Sequence, residues 1–263
     1  MIRLLTFLTI LLPLAAFSPV MKLPDFVINV EASRMTSDNI GNVYLIKDES
    51  IAKYDSKGVL QKTFSNKNFG AITSADATNA LRIILFYKDF NRVVTLDNTL
   101  SQNGDPLTLE TIGYPLASLV AASHDNGLWV FDQANFELLR LNRNLQVENR
   151  SGNLSQILGI DLQPNFLIEK DNRLFLNNPS TGILTFDVFG TYSKTLPIKN
   201  LNKFQVVDDA ILYFEKGTLV TESISIDNKL SFTEPCDTTA LDMRMEKNAV
   251  FVLKRNSLEI YNK

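Results

Sequence analysis

The chain has 263 residues, 45% hydrophobic and 21% charged, which excludes a wholly disordered or collagen-like polymer. Its 26 basic and 29 acidic side chains leave a formal charge of −3, no footprint for nucleic acid or an anionic membrane surface. A single cysteine, Cys236, and a single histidine, His124, exclude an internal disulfide and any site built on two histidines.

Residues 1–18 read MIRLLTFLTILLPLAAFS. Arg3 supplies the positive start, residues 4–14 a short apolar run, and Ala15, Ala16 and Ser18 the small residues that precede cleavage. A membrane-spanning helix needs about 20 apolar residues. This run is shorter and contains Pro13, so a cleaved signal peptide is expected rather than an anchor, with the cut after Ala16 or Ser18. No cysteine lies nearby, so the protein is not expected to be a lipoprotein. Export without disulfides predicts a periplasmic or extracellular bacterial protein, not inserted in the membrane after cleavage and monomeric on its own.

Short strands then follow in close succession. Residues 33–37, 42–47, 51–55 and 60–64 form a first unit of four strands. A second unit covers 71–76, 81–87, 92–97 and a fourth strand near 107–111. The third covers 118–123, 128–131, 138–142 and 146–150. The fourth covers 165–169, 174–176, 183–187 and 192–196, and the fifth 204–207, 211–214, 219–224 and 230–233. The sixth has 241–245, 250–253 and 258–262, and then stops one strand short. The missing strand is supplied by residues 25–30, which alternate like a strand but belong to no hairpin. Pairing them with the sixth unit removes two open sheet edges.

Two columns of polar residues mark the repeat. Asn42, Asn79, Asn126, Asn172, Asp209 and Asn248 precede the second strand of each unit. Asp55, Asp97, Asn142, Asp187, Asp227 and Asn262 end the third. A period near 40 with four strands per unit is the mark of propeller blades. The predicted fold is therefore all-β: a single six-bladed propeller over residues 25–263, closed by an N-terminal strand. A seven-bladed ring or a β-sandwich is the competing architecture. Both polar columns read as turn chemistry rather than as a calcium site, because ligands spread over different rims cannot converge.

Asp38-Asn39-Ile40-Gly41-Asn42-Val43-Tyr44, with residues 51–55 and Gly58, resembles a blade of the NHL-type six-bladed propellers. Residues 87–97 are similar to that family's second and third strands with their turn, and residues 131–142 match more loosely. The resemblance implies a scaffold without a shared chemistry. Many members bind proteins, and some related propellers are metal-dependent hydrolases.

No nucleophile elbow or phosphate-binding glycine loop is present, and no cofactor or metal is expected. His124 falls in a turn between first and second strands, on the face opposite the expected binding face, and Trp129 reads as interblade packing. The binding face is expected where second strands turn into third ones. Tyr87, Lys88, Phe90 and Arg92, then Asp132, Gln133 and Phe136, then Asn177 and Asn178 are the candidate contacts. Aromatic, amide and single charged residues in loops suit a protein interface. The expected function is non-catalytic docking of a protein partner in the cell envelope, such as an outer-membrane transport or secretion channel. Two alternatives compete: a propeller that binds carbohydrate or a small molecule, and a calcium-dependent lactonase or esterase.

Overall fold

The computed structural model describes residues 23–215, 217–225, 231–235 and 238–263, with backbone alone for 231–235. The leader, Lys216, Asp227 and Cys236 lie outside the described residues. The strands form six antiparallel four-stranded sheets, each built from neighbouring segments except the last. The fold is a six-bladed β-propeller. The inner strands are Arg34–Ser37, Ser74–Asn79, Ala117–Ala122, Phe166–Lys170, Gln205–Val207 and Asp242–Met245.

Closure happens where the orphan strand predicted it. Phe26–Asn29 pairs with Ser257–Asn262, Phe26 opposite Ile260 and Ile28 opposite Leu258. The Asp25 and Val30 amides donate to the carbonyls of Ile260 and Asn256, at 2.9 and 3.1 Å. Phe26, Ile28 and Val30 turn inward onto a core that includes Phe251, Leu258 and Ile260, while Val27 faces out. The alternation of the sequence is thus the alternation of a pleated strand with one buried face.

Second strands are buried on both faces because each blade is sandwiched between its neighbours. Val43, Tyr44, Leu45 and Ile46 are all buried, as is the whole of Leu128–Asp132. This is why they read as continuous apolar runs. Aromatic rings fill the space between blades, with Phe166 and Phe204 edge to face at 5.0 Å and Phe186 and Tyr192 at 5.9 Å.

The second polar column does one job in four successive blades. Asp55 Oδ1 accepts the amides of Lys57 and Val59, and Asp97 Oδ1 those of Thr99 and Ser101. Asn142 takes Asn144 and Gln146, and Asp187 takes Phe189 and Thr191. Each side chain caps the turn to its outer strand by bonding the amides two and four residues on. In the first column, Asn126 and Asn172 adopt left-handed φ of 65° and 57°, a conformation that amide side chains tolerate.

Blade two departs from expectation. Its inner strand starts at Ser74, three residues late; just before it the carbonyls of Ile72 and Thr73 accept from Arg34 of blade one and the Ile72 amide donates to the Asp48 carbonyl. Its outer strand shrinks to Leu107–Thr108, followed by a 3-10 turn, Leu109–Ile112, that buries Leu109. A single α-helical turn, Leu154–Leu158, capped by Asn153, links blades three and four.

Candidate functional site: a loop face and a central channel

The predicted contacts separate into two groups. Tyr87, Asp132, Asn177 and Asn178 are buried, so their side chains are not offered to a partner. Tyr87 packs edge-on against Phe69 at 5.5 Å, and burial lifts its pKa to about 12. Asp132 closes its own turn, accepting from the Ala134 amide and from Asn135 Nδ2. Asn177 Nδ2 donates to Asn165 Oδ1 and to the Leu201 carbonyl, both at 2.6 Å. Asn178 accepts the Gln163 amide and donates to the Asp161 carbonyl. These amides lie under the connections between blades, where backbone groups have no ladder partner and would otherwise be buried unpaired. Phe136, at φ 52°, packs into the core between blades three and four. Arg92 stacks its guanidinium 4.8 Å over the Phe69 ring.

The rest lie on neighbouring blades. Lys88 is exposed and Phe90 is 51% exposed on the short turn Lys88–Phe90. That turn contacts the inner strand of blade three, and the residue just before this strand is Leu116, 60% exposed. The Gln133 amide donates to the Leu116 carbonyl at 3.1 Å, and Ser118 Oγ donates to Gln133 Oε1. Lys88 and Phe90 thus sit on a turn beside blade three, with the Phe90 ring lying against Gly70, and Leu116 and Gln133 are joined at the start of that blade's inner strand. Leu116 escaped the sequence reading because a lone leucine in a connection looks like core. In the same turn, Tyr87 Oη, Asn91 Oδ1 and Arg92 Nε are buried without a hydrogen-bond partner.

The inner strands enclose a cavity of about 690 Å³. Ser, Thr and apolar residues line part of it, and Lys170, Gln205, Arg244 and Glu246 line it too. Ser37 Oγ and Gln205 Nε2 donate to Glu246 Oε1 at 2.5 and 2.9 Å. Burial pushes the Glu246 carboxyl above its ordinary range, against the pull of Ser37 and of the Arg244 and Lys170 charges. A second cavity of about 250 Å³ lies on the loop face between blades five and six and shares Gln205 and Arg244 with the first. Lys203 forms an ion pair with Asp242 there.

His124 sits in the predicted turn, with a partner the sequence did not announce. Its Nδ1 lies 2.8 Å from Glu169 Oε1, which also accepts the His124 amide. Glu169 Oε2 accepts Ser123 Oγ and the Trp129 indole N–H. Neither His124 nor Glu169 lines the central cavity. The cluster joins blade three to blade four. Other interblade bonds have the same form: Arg82 to the Gly127 carbonyl, Arg173 to Asp209, Lys203 to Asp242. Their partners lie about one repeat apart, and that offset is the signal by which they could have been sought. Among the described residues, no group of three or more His, Cys, Asp or Glu side chains is placed to hold one metal ion.

No family model matches the chain, and no curated protein matches it significantly. Solved structures do. An inactivated virginiamycin B lyase from Staphylococcus aureus with quinupristin is 13% identical at a TM-score of 0.55, covering 87% of this chain and 79% of that one. A chain of the mitotic checkpoint complex is 8% identical at 0.64, covering 97% and 99%. The Pan2 WD40 domain of Neurospora crassa is 11% identical at 0.58, covering 86% and 73%. At such identities the likeness is one of fold, shared by a lyase, a chain of a checkpoint complex and a WD40 domain.

Proposed function

We propose that this protein is an exported, non-catalytic propeller that docks a protein partner in the bacterial envelope, with an outer-membrane transport or secretion channel as the partner class. The observation that carries the reading is the exposure of two large apolar side chains, Phe90 next to Lys88 and Leu116 next to Gln133, on neighbouring blades. Large apolar side chains framed by polar ones are the usual interface anchors, and truncating such an anchor costs about 2 kcal/mol or more of binding. The NHL-type resemblance of blades one to three supports the same role. Export rests on the leader sequence, and the non-catalytic reading on the scarcity of histidine and cysteine.

The test is cross-linking and affinity capture from solubilised envelopes with wild type, Phe90→Ala/Leu116→Ala and, as a buried comparison, Leu109→Val. One defined partner, recovered by wild type and Leu109→Val and lost by the double variant at unchanged melting temperature, supports docking here. Retention by the double variant refutes it. Mass spectrometry of the exported chain reads the leader directly: an intact Met1 terminus overturns cleavage.

A further inference from the structure

Where the two cavities meet, one guanidinium has no partner. Arg244, on the inner strand Asp242–Met245, is 8% exposed and lines both the central cavity and the smaller one. Its Nε is buried and unbonded, and no described residue accepts a hydrogen bond from the side chain. Arg34, by contrast, donates to two carbonyls, Arg173 is paired with Asp209, and Arg92, whose Nε is also unbonded, stacks on the Phe69 ring. A buried, unpaired charge is strongly unfavourable, so a side chain kept in that state marks a place for a counter-charge.

The neighbouring charges say which kind. Burial lowers the Lys203 pKa, Asp242 opposes that shift, and the charges of Arg244 and Arg34 add to it. Lys203 therefore feels both arginine charges at the junction. The carboxylates among them are engaged elsewhere, Asp242 with Lys203 and Glu246 with Ser37 and Gln205. Lys170 and Asp38 also act on Glu246, with opposite signs, and among Lys203, Asp242, Arg244 and Glu246 the side chain that makes no hydrogen bond is Arg244.

We propose that Arg244 binds the carboxylate of a small organic acid at the junction of the two cavities. A guanidinium fork matches a planar carboxylate bidentately. A single unbonded guanidinium suits a monoanion, whereas a phosphate dianion would bring more negative charge against Asp242 and Glu246. The smaller cavity, about 250 Å³, adds Asn202, Phe204 and Tyr213 as surroundings for a short organic substituent. The site needs no protein partner and lies on blades five and six, so it stands or falls separately from docking at blades two and three.

The full chain, in an amine buffer free of carboxylates, is titrated with sodium acetate at ionic strength held constant with sodium chloride. Melting temperature and the line width of carbon-13 acetate are the readouts. A saturable response is expected, weaker with inorganic phosphate, abolished in Arg244→Gln, and tightened several-fold in Glu246→Gln. Acetyl-Ala-Ala, compared with its C-terminal amide, separates a free acid from a chain terminus as the source of the group. No saturable response in wild type, a response equalled by chloride, or one that survives Arg244→Gln overturns the proposal. If Arg244→Gln does not fold, Arg244→Lys decides: it keeps the charge and loses the fork. At least tenfold weaker acetate binding is then expected, and unchanged binding overturns the site.

Discussion

Replacing Glu169 with Ala should be among the most damaging single changes in the ring. Its side chain is 4% exposed and accepts from four donors on blade three: Ser123 Oγ, the His124 amide, His124 Nδ1 and Trp129 Nε1. The donors are not equivalent. His124 is partly exposed, so water can replace its share, whereas Trp129 is fully buried and its N–H would be left without an acceptor. Hydrogen bonds to a charged group contribute about 1.5–3 kcal/mol each, and an orphaned buried donor costs about 1–3 kcal/mol. Discounting the donors that water reaches, the loss should be about 3–5 kcal/mol. For a ring of this size that is a fall of about 10 °C in melting temperature. Glu169→Gln keeps the shape but turns one acceptor into a donor, and should lose about half as much. Trp129 is the only tryptophan, so its fluorescence reports the same site that calorimetry reports globally. A Glu169→Ala melting temperature within about 2 °C of wild type, with Trp129 emission unchanged, would refute the reasoning.

Two further outcomes are expected. Deleting residues 25–30 behind the leader strips the pairing partner from Ser257–Asn262 and uncovers Leu258 and Ile260; the whole ring should melt at lower temperature, and an unchanged melt by circular dichroism would mean that the strand contributes nothing. Glu246 has a folded pKa above its ordinary 4.5, so its contribution is fully present below that value and is lost as pH rises through the folded pKa. Glu246→Gln, which can still accept from Ser37 and Gln205, should therefore gain on wild type between pH 4 and pH 7; a flat or opposite difference in melting temperature would contradict the sign.

What the sequence showed and what it hid divide along contact distance. Asp55, Asp97, Asn142 and Asp187 bond amides within four residues, so each turn is written locally and the column repeats. The closing strand was legible too, because Phe26, Ile28 and Val30 alternate whatever they pair with. Glu169 was not legible, because its partners lie a blade away and a single carboxylate in a strand carries no period. Asn177 and Asn178 misled for a related reason. Amides at the end of an apolar strand look like loop residues offered to solvent, yet the Leu201 and Asp161 carbonyls, set on separate connections, hold them inside. Arg244 and Glu246 were passed over because charges within and just past an inner strand read as an irregular edge until the ring places both at the central cavity.

The closure of the ring also bears on how the chain reaches it. The strand Phe26–Asn29 is made first, and its partner Ser257–Asn262 is made last. Five blades can assemble from neighbouring segments, but the sixth must wait for contacts spanning almost the whole described chain. Closing a flexible loop of roughly 230 residues costs about 5 kcal/mol by chain statistics alone, and the earlier blades reduce that cost by holding the two ends on one rigid arc. Joining the ends is therefore expected to be the slow step of folding, of the kind that high contact order imposes. Until it happens, both Phe26–Asn29 and the bare edge of Ser257–Asn262 are open to pairing with another molecule, so the same strand that seals one ring could, by exchange, link two.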